Sequence, residues 1–208
     1  MLPLEVMITF SVAALVLALV PGPDNFYVLS VSALQGRVSG YCVILGLCTG
    51  LILHSMAVAL GAAVIFQTSA LAFTLLKYCG AAYLVYLAWQ AFRSRGEGNG
   101  CVSVPRARLR SLYTRGILMN ISNPKVSLFF LAFLPQFADP ARGSIPLQIV
   151  LLGGLFILST ILVFGAIASL AGAAGACLGR RPGLYAITRN MAALVFLALA
   201  ARLITAQR

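Results

Sequence analysis

The chain has 208 residues, of which 61% are hydrophobic and 9% charged, with a formal net charge of +11. A soluble domain carries about a quarter charged residues, so the composition excludes a water-soluble globular protein and points to lipid as the solvent. The positive charge is not a nucleic-acid footprint either, because the basic residues gather in a few polar segments between apolar runs and form no basic, aromatic-interleaved surface.

Six apolar segments follow one another, roughly 5–35, 38–66, 70–92, 112–137, 146–176 and 184–204. Crossing ~30 Å of hydrocarbon takes roughly 20 apolar residues in a helix, so each segment suffices and together they use up the chain. The predicted fold is all-α and integral to the membrane, one domain over 1–208. The first run is read as a span and not as a cleavable signal, because it carries Glu5 in place of a basic start and ends at Pro21-Gly22-Pro23-Asp24-Asn25.

Between segments three and six the polar residues fix the organisation. The stretch 93–111 is the one long polar linker; it separates two halves, 5–92 and 112–204, of three helices each. An odd number of spans per half turns the second half upside down relative to the first, giving two inverted three-helix repeats. On one side of the membrane stand Arg37, Arg93, Arg95, Arg106, Arg108, Arg110, Arg115, Arg180, Arg181 and Arg189; on the other stand Arg142, Arg202 and Arg208. The positive-inside bias makes the linker cytoplasmic and places both termini outside. At an offset of 110, Leu84-Val85-Tyr86-Leu87-Ala88 aligns with Leu194-Val195-Phe196-Leu197-Ala198, a weak internal echo among common residues.

A stronger sign of the repeat is that the first helix of each half is interrupted. In the first half, Pro21 and Pro23 lack an N–H and clash with the carbonyl four residues back, which leaves the carbonyls of Leu17 and Leu19 without helical partners. Gly22 or Asp24 is positioned to cap the half-helix that follows. In the second half, Pro124 frees the carbonyl of Asn120, and Asn123 is positioned to cap the half-helix that Pro124 begins. Counting from Arg37 back to Asp24 and from Ser111 on to Asn123 gives ~18–20 Å at 1.5 Å per residue, so both breaks fall near mid-membrane. Unpaired backbone at that depth is tolerated inside protein or against a water-filled cavity, and paired interruptions in inverted halves mark a transporter's binding site.

Asp24 and Lys125 are the ionisable residues nearest the midplane, where each costs ~2.5–3.5 kcal/mol to insert. The expected substrate-binding set is Pro21, Gly22, Pro23, Asp24, Asn25, Asn120, Asn123, Pro124 and Lys125. Free carbonyls and Asp24 suit an ammonium; half-helix N-termini and Lys125 suit a carboxylate. The bland alternative is a pair of proline kinks with a structural Asp24–Lys125 ion pair. His54, the one histidine, is a candidate proton relay with Asp24, or else a hydrogen-bonded packing residue. Gly46 and Gly50 form a Gly-x-x-x-Gly pair that predicts close helix packing, while Lys77, Arg189 and Arg202 near helix ends snorkel to the interface. The five cysteines, Cys42, Cys48, Cys79, Cys101 and Cys177, form no Cys-x-x-Cys pair. No Walker-type loop and no metal-ligand spacing occurs, so neither a cofactor nor a metal is expected, and the chain is not read as an enzyme.

At these positions the chain resembles the lysine exporter (LysE/RhtB) family of bacterial amino-acid exporters, over nearly its whole length. The resemblance is carried by Pro21-Gly22-Pro23-Asp24-Asn25, Gly46 and Gly50, Gly80-Ala81-Ala82-Tyr83-Leu84, Gly116, Asn123-Pro124-Lys125, Pro135-Gln136-Phe137 and Ala201-Arg202-Leu203. It implies a secondary transporter in the bacterial inner membrane that exports amino acids or their analogues, driven by the proton gradient. One proton moving down ~150 mV supplies roughly 3.5 kcal/mol, enough for a gradient of several hundredfold in a neutral zwitterion. The alternatives are a transporter of another solute, such as a metal cation or small toxic compound, a membrane thiol redox protein, or a non-transporting assembly factor. The expected partners are the small-molecule substrate and membrane lipid, with no nucleic acid; a homo-oligomer stays open.

Overall fold

A computed structural model describes residues 2–20, 22–68, 78, 81, 82, 85, 86, 89, 107–174, 197 and 201 of the chain. Among the described residues every regular element is helical: α1 Leu4–Leu19, α2 Pro23–Gln35, α3 Arg37–Thr68, α4 Leu109–Ser122, α5 Pro124–Leu128 and α6 Ile145–Ala174. A π-helical turn, Phe129–Phe133, and a 3-10 turn, Leu134–Phe137, continue α5, and a second 3-10 turn, Pro140–Arg142, leads into α6. The expected third and sixth helices fall mostly outside the described residues, as do Pro21 and the Leu84–Ala88 echo; positions 78, 81, 82, 85, 86, 89, 197 and 201 are helical.

The helices α3 and α6 are long and apolar enough to cross a membrane, and the bent pairs α1–α2 and α4–α5 bring the number of candidate spans to four. The pairs are bent by 62° and 52° at their breaks. A bent span followed by a long unbroken helix therefore occurs twice in the described chain. The first expected span, 5–35, is two helices, and the fourth begins at Leu109 and ends through π and 3-10 turns. Outward faces carry Leu45, Leu60, Leu158, Leu162 and Leu170 exposed, as helices solvated by hydrocarbon require.

Small residues set the packing. A Cβ on Gly46 would meet the Tyr113 carbonyl oxygen, and a Cβ on Gly116 would meet that of Val43. The backbones of α3 and α4 therefore touch, as the Gly46-x-x-x-Gly50 spacing predicts. One turn further on, the Asn120 side chain lies against Gly50, its Cβ 2.7 Å from where a Cβ on that glycine would stand. This contact seats the second break against α3. On its other side α3 packs on α6, where a Cβ on Gly153 would meet Ser55 Oγ.

The interior is aromatic beside the breaks. Phe129 stacks at 4.8 Å on Phe133, and both Phe129 and Phe130 meet Phe156 of α6, at 5.3 and 5.2 Å between centroids. Phe10 of α1 closes the cluster against Phe137 at 5.2 Å. The π turn supplies Phe129, Phe130 and Phe133 to this one cluster. Gly46→Ala and Gly116→Ala are each expected to lower membrane abundance and the melting temperature in detergent. Gly154→Ala, where a Cβ meets nothing within 4 Å, is expected to leave both within error.

Candidate functional site

At the first break α1 ends where the Val20 N–H reaches the Val16 carbonyl at 3.0 Å, and α2 starts where the Phe26 N–H reaches the Gly22 carbonyl at 3.1 Å. In a continuous helix the carbonyls of Ala18 and Val20 would receive the N–H groups of residues 22 and 24. The turn withdraws those donors, and two side chains replace them. Asn25 Nδ2 donates to the Ala18 carbonyl at 2.8 Å, and Lys125 Nζ donates to the Val20 carbonyl at 3.0 Å. The sequence places the loss at Leu17 and Leu19, opposite the prolines. The side-chain donors fall on the neighbouring carbonyls of Ala18 and Val20, a further loss that the prolines alone do not announce. Gly22 is the residue that opens α2, extended and without a side-chain cap, so Asp24 is not the cap.

At the second break Asn123 caps as expected: its Oδ1 accepts from the Lys125 N–H at 3.1 Å, with Pro124 in the first helical position. The Asn120 carbonyl, expected to be free, accepts the Asn123 N–H at 3.1 Å. A 3-10 closure thus recovers the partner that Pro124 removes.

Beside the Lys125 bond to Val20, one bond between two side chains ties the breaks together. Asn123 Nδ2 donates to Asp24 Oδ2 at 2.8 Å across 99 residues of sequence. Asn123 therefore uses its oxygen within its own half and its amide nitrogen on the other. Asp24 and Lys125 do not form the ion pair of the bland alternative; the ion pair among the described residues joins Arg142 Nε to Asp139 Oδ2 at 2.9 Å. Lys125 is drawn to the Val20 carbonyl, at the C-terminal, negative end of α1.

Between the breaks lies a cavity of about 20 Å³, room for roughly one water. Asp24, Asn25, Asn120, Lys125 and Thr160 form its polar part; Leu17, Leu47, Leu51 and Phe156 are among its apolar lining. Asp24 Oδ1, Asn25 Oδ1 and Asn120 Oδ1 are buried without a hydrogen-bond partner. Buried acceptors without donors are costly, and three on one cavity amount to a site shaped for a donor. The amide of Asn25 is oriented by its bond to Ala18, so its oxygen is what it offers the cavity. Of the sequence-predicted set, Asp24, Asn25, Asn120 and Lys125 reach this cavity; Gly22, Pro23, Asn123 and Pro124 shape the breaks around it, and Pro21 lies outside the described residues.

His54 is not in the cavity wall. Its ring lies 5.7 Å from Phe130 and within hydrogen-bonding range of the Asn120 backbone, and its Nε2 is buried without a partner. The sequence reading missed the contribution of α6, whose Phe156, Thr160 and Phe164 line the cavity at spacings of four. That spacing was visible, but an unbroken apolar helix hides which face is the inner one. Cys42 and Cys48 are free thiols, Cys42 donating to the Leu109 carbonyl at 3.0 Å; the other three cysteines lie outside the described residues.

Two broken helices, the first of which is completed by a side chain of the second beside a cavity with a polar wall, are the architecture of a membrane transport protein. The chain belongs to the LysE type translocator family, whose model matches residues 15–207; it is a translocator and not an enzyme. It is 34% identical over 155 residues to the homoserine/homoserine lactone efflux protein of Salmonella typhimurium, covering 74% of this chain and 75% of that one. A membrane protein of Vibrio cholerae is 33% identical over 162 residues, covering 78% and 79% of the two chains. The membrane protein YrhP of Bacillus subtilis is 31% identical over 160 residues, covering 73% and 76%. No solved structure matches.

The two uses of Asn123 can be separated. Asn123→Ala is expected to lose the cap, worth ~0.5–2 kcal/mol, and the Asp24 bond, lowering the melting temperature and abolishing transport. Asn123→Ser keeps a capping oxygen but cannot reach Asp24. It is expected to regain part of the melting temperature, measured in detergent, and little of the transport, measured in vesicles.

Proposed function

We propose that this translocator is a secondary exporter of small neutral amino acids and their close analogues across the bacterial inner membrane, coupled to the proton gradient. Homoserine and homoserine lactone are the first substrates to test, since they name the efflux of a relative of this chain. The observation that carries the proposal is the trio of unpartnered acceptors, Asp24 Oδ1, Asn25 Oδ1 and Asn120 Oδ1, on three residues that line one cavity with Lys125. Three converging oxygens, one of them a carboxylate's, match the three protons of an α-ammonium group.

The carboxylate of a zwitterion falls to Lys125. Its Nζ lies 3.7 Å from where a Cβ on Gly22 would stand, close to the N-terminal end of α2. A cation is disfavoured there by the dipole of α2 and an anion favoured. Lys125 therefore has two competing partners: the Val20 carbonyl when the site is empty and a substrate carboxylate when it is full. Because the cavity holds about one water, substrate binding must widen it. The bends beside Gly22 and Asn123 are where the framing helices are free to move, as the discontinuous helices of transporters do.

The repeated order of a bent span and a long helix supports six spans in two inverted halves, 5–92 and 112–204. The arginine bias supports both termini outside and a cytoplasmic linker; labelling of a cysteine introduced at Ala107 by an impermeant reagent on whole cells contradicts that orientation. Asp24 is the first candidate for the coupled proton because it lines the cavity. His54 is the second, one residue removed, through the Asn120 backbone.

The test is efflux from proteoliposomes loaded with labelled amino acids, with and without an imposed pH gradient. Asp24→Asn keeps an oxygen for Asn123 Nδ2 and is expected to fold. Concentrative homoserine efflux is expected to fall at least tenfold. If homoserine exchange persists, Asp24 carries the proton; if it fails too, Asp24 binds the substrate. Wild-type concentrative efflux by Asp24→Asn at equal abundance removes both roles.

A further inference from the structure

The cavity has a second wall, and its chemistry differs from the first. Phe156, Thr160 and Phe164 stand at i, i+4 and i+8 on α6, one face of one helix. Thr160 is the one hydroxyl among the cavity-lining residues and is buried, 4% exposed. It lies near the middle of the 30-residue helix, at the depth of the two breaks. Phe156 is held in the aromatic cluster by Phe129 and Phe130, so the backbone that carries Thr160 is fixed.

The hydroxyl is already oriented. Thr160 Oγ1 donates to the Phe156 carbonyl at 2.9 Å, which uses its only proton. What it offers the cavity is acceptor capacity alone. Around it Leu17, Leu47, Leu51, Val126 and Phe164 offer nothing polar. The polar groups that suit an ammonium and a carboxylate, Asp24, Asn25, Asn120 and Lys125, come from other helices.

We propose that Thr160 is the specificity-determining residue of the site, accepting a hydrogen bond from a hydroxyl on a short, uncharged substrate side chain. This rests on the export function proposed above and adds the residue that reads the side chain. The wall rejects acidic side chains, because a carboxylate would set acceptor against acceptor. It accepts an apolar side chain of the same size less well than a hydroxylated one, by the value of one hydrogen bond, a factor of about ten. The factor is modest because the Thr160 proton stays satisfied by Phe156 whichever substrate is bound, so no donor is left orphaned.

The experiment is competitive efflux of homoserine against norvaline, in which a methyl replaces the hydroxyl, from proteoliposomes containing the full chain. Thr160→Val keeps the branched shape and removes the hydroxyl; Thr160→Ser keeps the hydroxyl. Wild type and Thr160→Ser are expected to prefer homoserine by about tenfold, and Thr160→Val is expected to lose that preference. An unchanged preference in Thr160→Val overturns the proposal. So does an equal fall for both substrates at normal membrane abundance, which makes Thr160 a packing residue. If wild type moves neither amino acid, the export function itself fails, a result distinct from a loss of preference.

Discussion

The structure around the site depends on the orphaned backbone at the end of α1. A helix cannot stop inside hydrocarbon without leaving carbonyls that lipid cannot satisfy. Here the Ala18 carbonyl is taken by Asn25 and the Val20 carbonyl by Lys125, 105 residues away. The second donor obliges the other half of the chain to come close. Lys125 reaches that carbonyl because Pro124 and Asn123 restart the helix there, and Asn123 adds its own bond to Asp24. The loose end of the first half is thus satisfied partly by the second, whose own break is closed locally, and the space between them has a polar wall. The same bonds are individually weak enough, at about 1 kcal/mol for a neutral pair and roughly 1.5–3 for a charged one, for a substrate with matching groups to compete for them.

Close helix packing turns this bonding pattern into a site. With Gly46 and Gly116 bringing the backbones of α3 and α4 into contact, Asn120 falls beside Gly50 in the cavity lining. A larger residue at Gly50 would displace the very side chain that provides the third acceptor. The phenylalanine cluster of α1, the π turn and α6 packs beside the cavity through Phe156 and holds the α6 wall. The cavity thus has a closely packed wall on one side and the two bends on the other.

Much of this was legible in the sequence, for local reasons. Proline removes a donor wherever it stands, so the breaks near Gly22 and at Asn123–Pro124 follow from the chain alone, and an asparagine before a proline is placed to cap. The spacing of Gly46 and Gly50 implies a close contact without naming the partner. What sequence could not settle depends on three dimensions. Proline counting pointed to Leu17 and Leu19 and did not announce that the carbonyls of Ala18 and Val20 take side-chain donors. The charges of Asp24 and Lys125 invited a direct pair, but each found a nearer partner, Asn123 and a carbonyl. The Asn120 carbonyl was recovered by a 3-10 turn that no residue pattern announces. Thr160 was invisible because α6 is apolar all round, and a helix of that kind does not say which stripe faces inward.

The central claim is that the ammonium group of an amino acid sits on Asp24, Asn25 and Asn120. It is tested most directly by competition for labelled homoserine on the purified protein. Homoserine lactone keeps the ammonium and loses the carboxylate, whereas N-acetylhomoserine keeps the carboxylate and loses the ammonium. The lactone, which gives up the Lys125 bond and the side-chain hydroxyl but keeps the ammonium, is expected to compete at about a hundredfold excess, and N-acetylhomoserine to fail at that excess, since it loses several charged hydrogen bonds at roughly 1.5–3 kcal/mol each. Equal competition by N-acetylhomoserine would contradict the account, because the acceptors between the two breaks would then not be what holds the substrate.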